Sequence, residues 1–124
     1  MNNKSLNNLI EKLKKYEQVK AVYLFGSQIN GRAREDSDVD IAIIADTTRK
    51  KELEISNIAD NKFEITIFKR VPLILQFRIL KGQLLFCRDD DYLNKIKFEV
   101  FRRYLDFAPF IKRFYMRKIN ANIP

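Results

Sequence analysis

Short apolar runs alternate with segments of helical periodicity along almost the whole chain. Four runs are rich in β-branched or aromatic residues, which is typical of strands buried in a sheet. In chain order they read VKAVYLF, DVDIAIIA, KFEITIF and QLLFC. Apolar residues at helical spacing predict helices over about 5–17, 48–59, 72–82 and 90–118. This order of elements predicts an α/β fold, in which helices flank a mixed β-sheet of about four strands.

Individual residues mark the ends of the predicted helices. Ser5 is a suitable N-cap for the first helix, and Thr47 or Thr48 is suitable for the second. Pro72 is placed to open the third helix and Gly82 to close it.

The length and composition are those of one folded domain. We expect a single domain over residues 1–124, since 46% of the residues are hydrophobic, three are glycine and three are proline. The apolar runs are far shorter than a membrane span and the N-terminal segment is polar, which predicts a cytoplasmic protein without a membrane anchor. The lone Cys87 has no second cysteine to pair with and no histidine to activate it, which favours a buried structural role.

The net charge of +8 is concentrated in the C-terminal half of the sequence. Residues 1–62 contain 11 Lys and Arg against 10 Asp and Glu, whereas residues 63–124 contain 13 against 6, so the halves carry +1 and +7. A basic half is suited to RNA, to a nucleotide triphosphate or to an acidic protein, and it is equally compatible with a solvated helix face. The charge alone does not decide whether the protein binds nucleic acid directly.

Two carboxylates stand at the start of the second predicted strand. Because alternate side chains of a strand share a face, Asp38 and Asp40 project together. At about 5 Å they repel by roughly 3 kcal/mol at an effective dielectric constant near 20, and a divalent cation between them reverses the sign. The chain has no histidine and one cysteine, so an oxygen-ligated Mg²⁺ or Mn²⁺ is favoured over Zn²⁺.

A phosphate site is expected beside such a metal site. Gly26 and Ser27 follow the first predicted strand, where glycine lets the backbone approach an oxyanion and serine offers a hydroxyl. Glu64 breaks the apolar pattern of the third strand. Placed beside the two aspartates in one sheet, Glu64 would supply a third carboxylate, to hold a metal or to accept the proton of an attacking hydroxyl.

Taken singly, these motifs also fit ordinary structure. The acids of REDSD match a polar turn, the glycine–serine pair matches a strand-to-helix turn, and Glu64 matches an edge-strand charge. Their combination is more specific: glycine–serine, ten intervening residues and aspartate-x-aspartate are expected by chance in about one of a thousand chains of this length. The sequence has no G-x-x-x-x-G-K motif, which excludes the ordinary P-loop NTPases.

The segment GSQINGRAREDSDVDIAI resembles the signature of the DNA polymerase β-like nucleotidyltransferases. In that family Gly-Ser and Asp-x-Asp flank a short helical connection, and a later strand supplies a third carboxylate. The segment LKGQLLFCRDDDYLNKIKFEVFRRYLDFAPFIKRF resembles the C-terminal part of minimal nucleotidyltransferases that act as antitoxins beside a HEPN-domain ribonuclease toxin. The resemblance covers nearly the whole chain and implies the polymerase β-like fold.

The resemblance also implies an enzyme that transfers AMP from Mg²⁺-ATP to a tyrosine hydroxyl of its HEPN partner and so blocks the ribonuclease. Gly26 and Ser27 would hold the nucleotide phosphates, Asp38 and Asp40 would bind two Mg²⁺ ions, and Glu64 would complete the catalytic and metal site. The family usually has aspartate at the position that Glu64 occupies here. The absence of histidine fits the antitoxin side of such a pair, because the ribonuclease motif contains histidine.

The sequence leaves open the roles of residues between the first and second predicted strands, and it leaves open alternatives for the activity. Ser37 is a candidate for orienting Asp38 or contacting a phosphate, and Arg32 or Arg34 for pairing with the triphosphate, although all three also fit a solvated turn. Nucleotidyl transfer to a small molecule or to an RNA 3′ end is one alternative activity, and 124 residues leave little room for a domain that binds such acceptors. An antitoxin that acts by binding alone is the other.

The last predicted helix has an apolar arc wider than one sheet requires. Residues 93–111 wound as a helix place apolar side chains over about 200°, against the roughly 100° that packs on a sheet. Pro109 predicts a break in this helix, after which the aromatic tail would fold back over the arc. Burial within the chain is therefore expected, and any exposed remainder would mark a surface for the toxin or for self-association.

Overall fold

Four strands form one mixed sheet with helices on both of its faces. The computed structural model describes residues 3–26, 39–60 and 62–122, with side chains for residues 4–26, 39–60, 62–110 and 113. The strands are β1 (Val19–Phe25), β2 (Val39–Ala45), β3 (Phe63–Ile67) and β4 (Gln83–Cys87). The helices are α1 (Asn3–Lys14), α2 (Arg49–Ser56), α3 (Leu73–Leu80) and α4 (Asp90–Asn122), and a 3-10 turn (Phe68–Arg70) lies before α3.

The strands lie in the order β3-β2-β1-β4. β2 and β3 are parallel, whereas β1 is antiparallel to both β2 and β4. The predicted α/β class, the mixed sheet and the four strands are confirmed. The short helix expected between β1 and β2 lies outside the described residues.

Alternation of side chains along the strands builds two cores, one on each face of the sheet. On one face α1 and α2 cover the sheet, and Leu13 and Ile55 are fully buried there. On the other face α3 and α4 cover it, with Ile79 and Leu93 in that core. Within β2 the first core takes Val39, Ile41 and Ile43, and the second takes Ala42 and Ile44.

The first helix begins and ends earlier than the sequence predicted. Ser5 lies inside its first turn, so the prediction of Ser5 as N-cap is wrong. A serine within the first turn lowers the stability of the helix little, because the first N–H groups of a helix have no hydrogen-bond partner within the helix. At the other end, the Arg88 guanidinium donates hydrogen bonds to the carbonyls of Lys14, Tyr16 and Val19. These bonds satisfy backbone acceptors where the helix stops and connect them to the end of β4.

The boundaries of α2 and α3 follow their predicted caps. Thr48 is the N-cap of α2, and its side chain accepts a hydrogen bond from the Lys51 N–H at 3.3 Å. The helix ends three residues before the predicted position. Pro72 precedes α3 in an extended conformation, and Lys81 and Gly82 follow the helix, as predicted.

The last helix runs without interruption through Pro109, so the predicted division there is wrong. The carbonyl that loses its partner belongs to Leu105, a residue that is 67% exposed and so does not lie in the core, where a lost hydrogen bond costs most. A continuous helix of 33 residues is a rod about 50 Å long that does not fold back on itself. The expected burial of the whole apolar arc is therefore also wrong. Within the described part of the chain, none of the helices has the length and apolar character needed to cross a bilayer.

Glu52 is a fully buried carboxylate that joins α2 to the turn after β3. Its Oε1 accepts a hydrogen bond from Arg70 Nε at 2.9 Å and lies 3.5 Å from the Arg49 guanidinium, while Lys69 Nζ lies 3.3 Å from Oε2. Burial by itself raises the pKa of a carboxyl. Here the hydrogen bonds and charges of Arg70 and Lys69 outweigh burial and hold the pKa of Glu52 below its ordinary value of 4.5.

Replacing Glu52 with glutamine is expected to lower the free energy of unfolding by about 1–2 kcal/mol at neutral pH, because the cations lose their counter-charge. The depressed pKa means that this stabilisation is present above the unfolded-state pKa and is lost as the pH falls through the lower folded-state value. Urea unfolding at about pH 7 and about pH 3 should show the difference shrinking in acid. Glu54→Gln, which removes the exposed partner of Lys51, is the matched control and should cost less than about 0.5 kcal/mol. Equal losses in both variants would contradict a special role for the buried group.

Candidate active site

Asp40 lies at the end of the sheet where β1 ends and β2 and β3 begin. In the register it is opposite Phe25 of β1 and Glu64 of β3. Asp40 is half-buried, while Val39 and Ile41 on either side belong to the core under α1 and α2. Its side chain therefore projects from the opposite face, which α3 and α4 cover.

Gly26 directly follows β1 and makes room for the Asp40 carboxylate. Its φ is +86°, in the left-handed region that favours glycine. A Cβ at this position would lie 2.3 Å from Oδ2 of Asp40 and 3.2 Å from its Cγ. In the folded chain the group that glycine accommodates is the Asp40 carboxylate, and the predicted contact of Gly26 with a phosphate stays a prediction. Both the backbone conformation and the close approach require glycine here.

Glu64 lies beside Asp40 on the neighbouring strand. The two residues are register partners across the parallel β2–β3 pair, and adjacent strands are about 4.8 Å apart. Phe63 and Ile65 pack against the core under α1 and α2, so Glu64 projects from the same face as Asp40. Glu64 is exposed at the edge of the sheet. The sheet thus places two carboxylates together on one face, next to Gly26.

The floor behind the two carboxylates is apolar. Tyr23 and Ala42 are register partners two residues further into β1 and β2, and both are buried. Burial, with a smaller contribution from the charge of Cys87, raises the pKa of Tyr23, so its phenol stays protonated at neutral pH. A low-dielectric floor strengthens the attraction between carboxylates and a cation. Sequence patterns did not identify Tyr23 or Phe25 as neighbours of the site, because they read as ordinary strand core.

The donor chemistry of this site fits a hard divalent cation, since Mg²⁺ and Mn²⁺ prefer carboxylate oxygens. Within residues 3–26, 39–60 and 62–110, no three potential metal ligands are grouped together. Ser27, Ser37 and Asp38, like Arg32 and Arg34, lie outside the described residues, so their predicted roles stay predictions.

Cys87 lies at the opposite end of β4 and is half-buried. Burial and the neighbouring Asp90 raise the pKa of its thiol, so it stays protonated at neutral pH. The sequence favoured a buried structural role, and the structure shows only partial burial.

A comparison with protein families connects this geometry to known enzymes. The family model described as "Polymerase beta, Nucleotidyltransferase" matches residues 7–91. The chain belongs to the polymerase beta nucleotidyltransferase family. The matched range includes all four strands of the sheet, and with them Gly26, Asp40 and Glu64.

Among individual relatives, the "putative protein adenylyltransferase" of Methanocaldococcus jannaschii is 30% identical over 78 residues. The alignment spans 63% of this chain and 63% of that relative.

Two solved structures share the fold of this nucleotidyltransferase. A chain in the crystal structure of a toxin–antitoxin pair with AMP-PNP has a TM-score of 0.64 at 18% identity. A chain in the complex of the tri-AMPylated Shewanella oneidensis HEPN toxin with MNT antitoxin has a TM-score of 0.63, also at 18% identity. Both matches cover 93% of this chain and 99% of the other. The predicted polymerase β-like fold is confirmed.

Proposed function

We propose that this nucleotidyltransferase is an antitoxin that transfers AMP from Mg²⁺-ATP to a tyrosine hydroxyl of a HEPN ribonuclease toxin. The observation that carries the proposal is the pairing of Asp40 with Glu64 beside Gly26 at one end of the sheet. Family membership supports nucleotidyl transfer as the reaction type. The names of the relatives, an adenylyltransferase for proteins and a complex with an AMPylated toxin, support a protein as the acceptor.

The carboxylates are the metal-binding groups of the proposed site. Asp38, Asp40 and Glu64 would hold Mg²⁺ through their oxygens, with two ions expected and Mn²⁺ as a substitute. When bound, Mg²⁺ neutralises charge on the triphosphate and on the leaving pyrophosphate. The apolar floor formed by Tyr23 excludes water from the inner side of the site.

The connection after β1 supplies the nucleotide contacts in this proposal. The Gly26 backbone and the Ser27 hydroxyl would hold phosphate oxygens, and Ser37 would orient the neighbouring Asp38 or contact a phosphate. These contacts fix the α-phosphorus in front of the carboxylates, so that the reaction depends mainly on positioning and charge stabilisation.

In the reaction, the acceptor tyrosine oxygen forms a bond to the α-phosphorus while the bond from that phosphorus to pyrophosphate breaks. The phenolic proton must pass to a base. Glu64 is exposed and lies on the same face as Asp40, so a Glu64 oxygen that does not hold Mg²⁺ would be placed to receive this proton. The products are AMP-tyrosine and pyrophosphate.

The direct test uses the full chain, ATP labelled at the α-phosphate, Mg²⁺ and the HEPN protein encoded by a neighbouring reading frame. We expect label on the HEPN protein, loss of its ribonuclease activity, and no transfer when EDTA removes divalent cations. Inhibition of the ribonuclease without label would overturn the transfer step and leave an antitoxin that acts by binding. Label that appears on RNA or a small molecule instead would overturn the proposed acceptor.

Replacing Glu64 with glutamine is expected to lower the initial rate of transfer about 10-fold and to raise the Mg²⁺ concentration needed for half-maximal rate, because one oxygen ligand loses its charge. Glu64→Asp should retain more activity, since aspartate keeps the charge. The measurement is the rate of label transfer over a Mg²⁺ titration. Glu17→Gln, an exposed carboxylate between α1 and β1, is the matched control. An unchanged rate and Mg²⁺ dependence in Glu64→Gln would remove Glu64 from the site.

A further inference from the structure

One side of α4 carries apolar side chains that the described parts of the chain leave largely exposed, although the Phe101 ring packs edge-on against Phe77. Phe98 is 70% exposed, Phe101 46% and Leu105 67%. Their spacing of three and four residues places them on one line along the helix. This line, the α4 stripe, is separate from the side of the helix that Leu93 and Val100 bury against the sheet.

The direction of α4 brings its C-terminal part toward the end of the sheet that carries the candidate site. Near the start of α4, the Tyr92 ring lies 5.9 Å from Nζ of Lys20. Lys20 is at the beginning of β1. Twelve residues after Tyr92, Tyr104 stacks on Phe77 with ring centroids 4.0 Å apart. Phe77 is in the last turn of α3, and its carbonyl accepts a hydrogen bond from the Lys81 N–H. β4 begins two residues after Lys81. Since β4 begins where β1 ends, α4 runs toward Asp40 and continues for about 27 Å beyond Tyr104.

The uncovered apolar surface is large for a chain of this size. Phe107 and Phe110, beyond the stripe, are 56% and 67% exposed, and their rings lie 6.2 Å apart. Phe107 follows Val100 by seven residues, so Phe107 and Phe110 lie on other sides of the helix than the α4 stripe. Because burying an aromatic side chain removes 150–250 Å² from water, the three residues of the stripe together present roughly 300 Å² of apolar surface. A standard protein interface takes about 800 Å² from each partner. The α4 stripe therefore supplies roughly a third of one side of such an interface.

The charge of α4 determines which kind of partner fits. From residue 101 to the end of α4 the sequence has six Lys and Arg against a single Asp. Lys95 and Arg102 are exposed on the flank of the α4 stripe, where the exposed acids Asp91, Glu99 and Asp106 also lie, so the excess of positive charge belongs to the part of α4 beyond residue 101. A second copy of the chain would bring a like excess of positive charge against the part of α4 beyond residue 101, which is unfavourable. An apolar surface bordered by carboxylates is complementary to both the stripe and its flank.

We propose that the α4 stripe is the docking surface for the HEPN acceptor protein, which would present an apolar helix face bordered by acidic residues. The proposal rests on the proposed function, since it takes the acceptor of AMP as the occupant. Docking on α4 would hold the acceptor at the same end of the sheet as Asp40 while leaving the nucleotide site free. Stable binding and nucleotide transfer would then use different residues.

The test introduces charge into the α4 stripe. Phe98→Glu combined with Leu105→Glu is expected to weaken binding of the HEPN protein about 100-fold, measured as Kd by titration calorimetry. Both residues are exposed, so circular dichroism should show an unchanged fold. Leu53→Glu is the matched control: Leu53 is 48% exposed and lies on α2, on the opposite face of the sheet. Wild-type affinity in the stripe variant, or equal weakening by Leu53→Glu, would overturn the proposal.

Two further measurements test the chosen occupant. Lys95→Glu combined with Arg102→Glu should slow association with the HEPN protein about 10-fold at low salt and reduce its salt dependence. Sedimentation of the wild-type chain alone should show a monomer at micromolar concentration. A dimer that dissociates in the stripe variant, or RNA binding that depends on Phe98 and Leu105, would overturn an acceptor protein as the occupant.

Failure of this proposal can be told apart from failure of the proposed function. The Asp40→Asn variant is expected to bind the HEPN protein with wild-type affinity although it transfers no label. If the stripe variant binds normally while wild type labels the partner, only the docking surface is wrong. If wild type binds through the stripe without labelling, the transfer reaction is wrong and the docking surface stands.

Discussion

Replacing Asp40 with asparagine is expected to reduce AMP transfer to the HEPN protein at least about 1,000-fold. The substitution keeps the shape of the side chain and removes the charge at the position that is the register partner of Glu64 and whose carboxylate lies where a Cβ on Gly26 would be. In the proposed site Asp40 would hold Mg²⁺ through its charged oxygens, and asparagine offers only one neutral oxygen. Single-turnover label transfer at saturating ATP is the measurement.

Thermal unfolding provides the second readout for Asp40. The unfolding midpoint of wild type should rise when Mg²⁺ and ATP are added, and that rise should be absent in Asp40→Asn. Asp46→Asn, an exposed position immediately after the other end of β2, is the matched control and should transfer AMP within about twofold of wild type. Transfer by Asp40→Asn at a rate close to wild type would place the active site elsewhere.

Replacing Gly26 with alanine is expected to lower the transfer rate at least about 100-fold. The new Cβ would lie 2.3 Å from Oδ2 of Asp40, so the carboxylate must move, and displacements of about 1 Å cost factors of that order. Alanine at a φ of +86° should also lower the free energy of unfolding by about 1–2 kcal/mol. Label transfer and urea unfolding measure the two effects separately.

A double-mutant cycle shows whether Gly26 acts through Asp40. Once Asp40 is asparagine, the further change Gly26→Ala should lower the residual transfer rate little, because the displaced group no longer carries charge. Gly82→Ala is the matched control, since Gly82 is a described glycine without positive φ. A loss of stability in Gly26→Ala with normal transfer would mean that glycine serves the backbone turn alone.

The elements of the fold followed from local patterns. VKAVYLF and QLLFC were predicted as strands and are β1 and β4 with those bounds. Strand propensity and side-chain alternation act between near neighbours, so short stretches of sequence contain them. Helix ends were less predictable. Ser5 resembles an N-cap, yet α1 begins two residues before it. Pro109 resembles a helix break, yet α4 continues through it.

The candidate site was predictable in its parts. Gly26, Asp40 and Glu64 each stood out because a small or charged residue interrupted an apolar pattern. Their proximity was an expectation that depended on which strands pair and in what register. The parallel β2–β3 register places Glu64 next to Asp40, and a shift by one residue would have turned one of them to the opposite face.

The sequence by itself determined the order of strands and helices, the face of each strand that carries acid, and the family resemblance, because these depend on spacing along a single segment. Tertiary structure alone decided that the Asp40 carboxylate lies against Gly26 and that Glu64 is the neighbour of Asp40. It also decided that Phe98 and Leu105 of α4 stay exposed to solvent. Each of these depends on how distant segments pack, and packing is set by the whole core rather than by any local pattern.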